Sequence, residues 1–122
     1  MTGGSKGRVL VVDDDPAIRM LCRVNLELDG YTVEEAGTLA AAREALAAAP
    51  PDVVLLDLHL GSVSSHALIA ECAALTPRVP VVLVTGSADV GTARETGADA
   101  VLTKPFEIEA LRSTVDLFAA AR

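Results

Sequence analysis

Apolar and polar positions alternate along this chain in blocks. Arg8-Val9-Leu10-Val11-Val12 is a short, mostly β-branched run, the pattern of a strand buried on both faces. A helical pattern follows from about Pro16 to Asp29. Pro16 suits its first turn, and Gly30 suits a stop just past its end. Tyr31-Thr32-Val33-Glu34-Glu35 reads as a half-polar strand nearer an edge. Thr38 then caps an Ala-rich helix in which Leu39, Ala42, Leu46 and Ala49 share one stripe, and Pro50-Pro51 ends it. Asp52-Val53-Val54-Leu55-Leu56 is a third strand, followed by a helix with Leu68, Ile69, Cys72 and Leu75 on its buried face. Val79 to Val84 makes a fourth strand and Ala100-Val101-Leu102 a short fifth. The last helix carries Ile108, Leu111, Val115 and Phe118 at steps of three and four.

Strands that alternate with helices require right-handed crossovers and a parallel sheet covered on both faces. The expected fold is α/β: one doubly wound (βα)5 domain with a five-stranded parallel sheet. Ligands of such sheets bind beyond the carboxyl ends of the strands, where strand order reverses. Chemistry is therefore expected just after Val12, Leu56, Val84 and Leu102.

Composition narrows the picture. A length of 122 residues suits one domain, and 51% hydrophobic residues supply its core. With two Phe, one Tyr and no Trp, that core must be aliphatic. The net charge of −7 argues against a directly bound nucleic acid and favours a cation or a basic partner. No segment approaches the ~20 apolar residues of a membrane span. The polar, Gly-rich start does not read as a secretory signal. Residues 1–7 are expected to be a flexible tail. Cys22 and Cys72 fall on different helices and are expected as free thiols packed as small core residues, which fits a cytoplasmic location.

The residues at the strand ends are Asp13-Asp14-Asp15, Asp57, Thr85 and Lys104. In a sheet of order 2-1-3-4-5 the first and third strands are neighbours, so Asp13 or Asp14 lies a few ångströms from Asp57. Carboxylates that close repel one another unless a cation compensates them. A hard divalent ion with oxygen ligands, Mg²⁺ in a cell, is the expected solution, with Lys104 as a fixed positive charge. The set suits phosphoryl transfer to a carboxylate, which needs positioning and charge neutralisation above all. Asp57 would attack, Lys104 would neutralise phosphoryl oxygens, and the Thr85 hydroxyl would donate a hydrogen bond.

Each residue also has a plainer reading. Asp15 before Pro16 is a helix cap, and Ser62, Ser64 or Ser65 could cap the helix after Asp57. Thr85 alone would be a turn residue, and Lys104 a surface lysine. His59 places its backbone near the site without its imidazole having to ligate anything. His66 reads as a helix-boundary residue.

Val11-Val12-Asp13-Asp14-Asp15, Val54-Leu55-Leu56-Asp57, Val84-Thr85-Gly86 and Thr103-Lys104-Pro105-Phe106 together resemble the four signatures of bacterial response-regulator receiver domains, in the family's order. The resemblance covers nearly the whole chain, with the receiver placed at 8–122. It implies Asp57 as phosphoacceptor, with Mg²⁺ held by Asp14, Asp57 and the His59 backbone carbonyl, and by Asp13 through water. It implies Thr85 as the switch hydroxyl, Lys104 as the phosphate-pairing lysine, and a cis Lys104–Pro105 bond. By the same resemblance Ile18, Pro105 and Phe106 belong to the docking surface for a histidine kinase or histidine phosphotransfer protein, and the His59 position tunes hydrolysis of the acyl phosphate.

The sequence departs from the family pattern in three places. Val101 stands where an aromatic partner of the threonine switch is common. Lys104 follows Thr85 by nineteen positions against about 22 in the family, a deficit near one helical turn. With Gly91 and few large apolar residues in that segment, the fourth helix is expected to be short or frayed. Gly61 stands where Pro is frequent, and Ser65 where Gly is frequent.

Three functions fit these residues. The first is a phosphoacceptor receiver that turns over no separate substrate and switches contacts with a downstream protein. With no output domain read after Arg122, it would be a stand-alone regulator or a segment of a larger protein. The second is a small Mg²⁺-dependent aspartyl-phosphate phosphatase, which wants an acid where His59 stands and a cap to hold substrate. The third is a phosphorylation-independent domain of the same fold. Such domains usually lose the acidic pair, the acceptor or the lysine, all of which are present here.

Overall fold

The continuously apolar segments form the middle of the sheet, and the half-polar one forms its rim. The computed structural model describes residues 5–60, 63–86 and 89–120. In chain order the elements are β1 (Arg8–Val12), α1 (Pro16–Leu28), β2 (Thr32–Ala36), α2 (Leu39–Ala48), β3 (Val53–Asp57), β4 (His59–Leu60), β5 (Val63–Ser64), α3 (His66–Ala73), β6 (Val81–Gly86), α4 (Val90–Arg94), β7 (Ala100–Lys104) and α5 (Ile108–Ala120). The main sheet is parallel with order β2-β1-β3-β6-β7. Counting its own five strands alone, this is the expected 2-1-3-4-5.

Two aliphatic cores flank the sheet. On one face Val9, Val11, Val53, Leu55 and Val82 meet Cys22 and Leu26 of α1 and Leu111 and Val115 of α5. On the other, Leu10, Val12, Val54, Leu56 and Leu83 meet Ala42 and Leu46 of α2, Leu68 and Cys72 of α3, and Ala93 of α4. Residues 53–56 of β3 are each at most 1% exposed, because both faces of the central strand are covered. Burying each such Val or Leu contributes about 1.5–3 kcal/mol. The cysteines sit in opposite cores as free thiols, and burial pushes each up to about 11.

Local signals set the helix ends. Asp15 caps α1 by accepting from the Ala17 N–H, Pro16 opens it, and Gly30 takes a φ of 100° just beyond it. Thr38 caps α2 by accepting from the Ala41 N–H. The fourth helix is short, five residues with Ala93 as its buried side chain. Two strands start later and end later than the alternation of apolar residues indicates. β3 and β6 run on through Asp57 and Gly86, because parallel pairing continues in register through Asp57↔Val84 and Gly86↔Lys104. The site residues Asp57, Thr85 and Lys104 thus lie at the last or second-last positions of their strands, where the sheet holds them, and not in the loops after them.

Of the tail placed at 1–7, Met1 to Gly4 lie outside the described residues. The Lys6 N–H donates to the Gly30 carbonyl at 2.8 Å, and the Gly7 carbonyl accepts from Thr32 at 2.9 Å. Gly61, Ser62, Ser87 and Ala88 also lie outside the described residues. The antiparallel pair β4–β5 was not indicated by periodicity, since two-residue strands are too short to show any.

Candidate functional site

The reversal of strand order between β1 and β3 opens a crevice at their carboxyl ends, and three acids fill it. One oxygen each of Asp13, Asp14 and Asp57 lie within 4.8 Å of one another. Asp13 follows β1 and is buried, at 3% exposure. Its N–H donates to the Ala36 carbonyl at 3.0 Å, and its Oδ1 accepts from the Asp15 N–H at 2.9 Å. Asp14 is exposed at the start of the turn into α1, and Asp57 ends β3 with its carboxylate mostly covered.

Lys104, at the end of β7, reaches back across the sheet. Its Nζ lies 3.3 Å from Asp13 Oδ2 and 3.7 Å from Asp57 Oδ1. The backbone N–H of His59 donates weakly to Asp57 Oδ1 at 3.4 Å. These contacts do not cancel the cost of crowding. Burial first, then the Asp13 charge, holds the Asp57 carboxyl above the usual carboxylate range, against the opposing pull of Lys104. Three carboxylates with hard oxygen donors, one exposed and two covered, fit a divalent cation of the Mg²⁺ type.

Thr85 stands on β6, one residue beyond the partner of Asp57 in the ladder, and is buried at 2% exposure. Strand alternation puts it with Leu83 on the face covered by α3 and α4, where Val101 also packs, partly buried. Thr85 and Val101 therefore share a face, whereas Asp13, Asp57 and Lys104 continue the rows of the opposite face. The Lys104–Pro105 bond is cis, as is Thr76–Pro77. Ile18, Pro105 and Phe106 line one groove of about 320 Å³ together with Leu21 and Lys104, whose ammonium also pairs with Asp13 and Asp57. The His59 imidazole lies near the Asp89 carboxylate, with Nε2 4.0 Å from Asp89 Oδ2. His66 is the exposed first residue of α3.

Two supporting residues escaped sequence reasoning. Arg19 donates to the Asp13 carbonyl at 2.6 Å and to Glu35 at 3.1 Å, and Glu35 also pairs with Arg23 at 2.7 Å. Two arginines one turn apart on α1, opposite the acids of β2, were the available signal. Ser65 is the other: it is the N-cap residue of α3, but its hydroxyl makes no cap bond.

Sequence relationships agree with this geometry. The family described as response regulator receiver domain matches residues 9–116, and the chain belongs to that family. The transcriptional regulatory protein KdpE of Mycobacterium tuberculosis is 41% identical over 103 residues, which is 83% of this chain and 46% of that protein. The DNA-binding dual master transcriptional regulator RpaA of Synechocystis is 34% identical over 116 residues, 88% of this chain and 47% of that protein. The chain thus spans about half the length of these relatives. The crystal structure of the receiver domain of NtrX from Brucella abortus superposes with a TM-score of 0.85 at 28% identity, covering 93% of this chain and 99% of that one.

Proposed function

We propose that this domain accepts a phosphoryl group on Asp57 from a histidine kinase or histidine phosphotransfer protein, and that the acyl phosphate switches its contacts with a downstream protein. The observation that carries the proposal is the meeting of Asp13, Asp14 and Asp57 with Lys104 at the carboxyl ends of neighbouring strands.

Asp14, Asp57 and the His59 carbonyl would hold Mg²⁺, with Asp13 acting through water. Bound there, the ion supplies charge neutralisation for the phosphoryl oxygens and for the crowded acids. A carboxylate oxygen of Asp57 forms the new bond to phosphorus as the donor's phosphorus–nitrogen bond breaks and its electron pair stays on the leaving imidazole. Lys104 already lies within ion-pair distance of that oxygen and offers its ammonium to the incoming negative charge. Asp13 keeps Lys104 directed at the site through its own ion pair.

The Thr85 hydroxyl would follow the phosphoryl group and carry the change to the face it shares with Val101. A small Val101 in place of a ring makes that readout one of packing, without a large side-chain rotation. The groove at Ile18, Pro105 and Phe106 would receive the phosphodonor protein, since Lys104 both lines it and pairs with Asp13 and Asp57. The acidic surface leaves nucleic acid to other domains or partners. No described helix is long and apolar enough to cross a membrane, and the proposed location is the cytoplasm. Like the acyl phosphates of its family, the product would hydrolyse on the domain itself without turnover of a separate substrate.

Incubation with Mg²⁺ and a small phosphodonor, followed by intact mass measurement, tests this. A phosphate adduct on the wild type and none on Asp57→Asn is the expected result. Persistent absence of an Asp57-dependent adduct would favour the phosphorylation-independent domain, and turnover of a phosphate ester would favour the phosphatase.

A further inference from the structure

Ser65 occupies the cap position of α3, yet its side chain turns away from the helix. Its Oγ lies 2.6 Å from the Asp57 carbonyl and 2.9 Å from the Leu58 carbonyl, so one O–H is shared between two acceptors. The Ser65 N–H donates to the same Leu58 carbonyl at 3.1 Å. Ser65 is fully buried, at 0% exposure. Its φ of −96° suits any L residue, so the backbone does not demand the glycine frequent at this position. The hydroxyl therefore makes contacts at the phosphoacceptor that glycine could not.

Between Asp57 and Ser65 lie the antiparallel strands β4 and β5, whose described residues pair through His59↔Ser64 and Leu60↔Val63. Two residue pairs are marginal on their own. Buried Leu58 and Leu60 anchor one arm in the core, and Ser65 closes the base where the other arm enters α3.

We propose that Ser65 is a positioning residue for the cation site, its hydroxyl clamping the base of the hairpin to the end of β3. The clamp sets where the Asp57 backbone ends and where the His59 backbone begins. It rests on the Mg²⁺ reading given above, because His59 supplies a ligand only through its carbonyl. A ligand held in place before binding loses less freedom on binding, so the clamp raises metal affinity without touching the metal. Ser65→Ala removes the hydroxyl and keeps the N–H bond to Leu58. Ser65→Gly restores the residue frequent in the family and adds no atom.

Two measurements on the folded full chain test the clamp, hydrogen exchange without metal and calorimetric Mg²⁺ binding without a phosphodonor. In both variants the amides of residues 58–60, 63 and 64 should exchange about five- to tenfold faster, with those of β1 and β6 unchanged. Mg²⁺ affinity should fall about tenfold. Ser65→Gly, which removes Cβ together with the hydroxyl, gives the same comparison where the apolar methyl that Ser65→Ala leaves beside the two carbonyls disturbs folding. Unchanged exchange at these amides, acceleration spread evenly over the sheet, or an unchanged affinity would each overturn the proposal. A wild type that binds no Mg²⁺ would sink the metal-site reading itself, and the clamp's role in it.

Discussion

The two ends of the sheet treat their carboxylates in opposite ways. At the amino ends of the strands, Asp29 lies 3.1 Å from Arg112 and 3.3 Å from Lys6. Lys6 also lies 3.4 Å from Asp116, which accepts a hydrogen bond from the Tyr31 hydroxyl. These neighbours, Arg112 foremost, hold the Asp29 carboxyl below the usual range. At the carboxyl ends, Asp13 and Asp57 share the single Lys104 ammonium while Asp14 adds a further charge. Burial and Asp13 push the Asp57 carboxyl up. One end has its charges matched within the chain and tethers the first described residues to α1 and α5. The other end leaves an excess of negative charge that a cation from outside can relieve. An imbalance of this kind, kept within a well-packed fold, is what a cation-binding site presents.

Removing the one lysine should widen the contrast most. Lys104→Met is expected to slow Asp57 adduct formation by about 10²–10³-fold, the usual cost of losing one preorganised charge at a reacting oxygen, read by timed intact mass. Neutralising the acceptor comes next. The raised pKa means that the folded state binds the Asp57 proton more tightly than the unfolded chain does. Ionised Asp57 therefore costs stability, and that cost grows as pH rises through the folded pKa. Without Mg²⁺ at neutral pH, Asp57→Asn should raise Tm by roughly 2–4 °C. The gain should fade as pH falls below the ordinary carboxylate range, where both chains are neutral at this position. The smallest effect belongs to the matched end. Tyr31→Phe should cost about 1 kcal/mol in a urea titration by deleting the bond to Asp116, with adduct formation at Asp57 unchanged. A loss of adduct formation there would mean that the two ends are coupled and the contrast is false.

Much of this arrangement is legible in the order of residues. Apolar runs such as Val53 to Leu56 read as central parallel strands, and in a sheet of order 2-1-3-4-5 they put Asp57 beside Asp13 and Asp14 without any contact being known. Gly91 and the shortened segment around it announce the five-residue α4. What periodicity cannot reveal is where a polar side chain turns. Ser65 has the sequence character of a helix cap, and only its rotamer sends the hydroxyl back to Asp57 and Leu58. Nothing in the pattern of α1 alone singles out Arg19, which donates to the Asp13 carbonyl, because its partners come from the residue after β1 and from β2. The hairpin of β4 and β5 is shorter than any detectable period. The matched cluster around Asp29 was equally hidden, since its members are scattered from Lys6 to Asp116.

A carboxylate NMR titration that follows Asp57 and Asp29 in one sample, with and without Mg²⁺, tests the contrast most directly. Asp57 should titrate above the ordinary aspartate range without metal and drop on adding Mg²⁺, while Asp29 titrates below that range and ignores the ion. An Asp57 that titrates at or below the ordinary value in metal-free protein, or one as indifferent to Mg²⁺ as Asp29, would contradict the account.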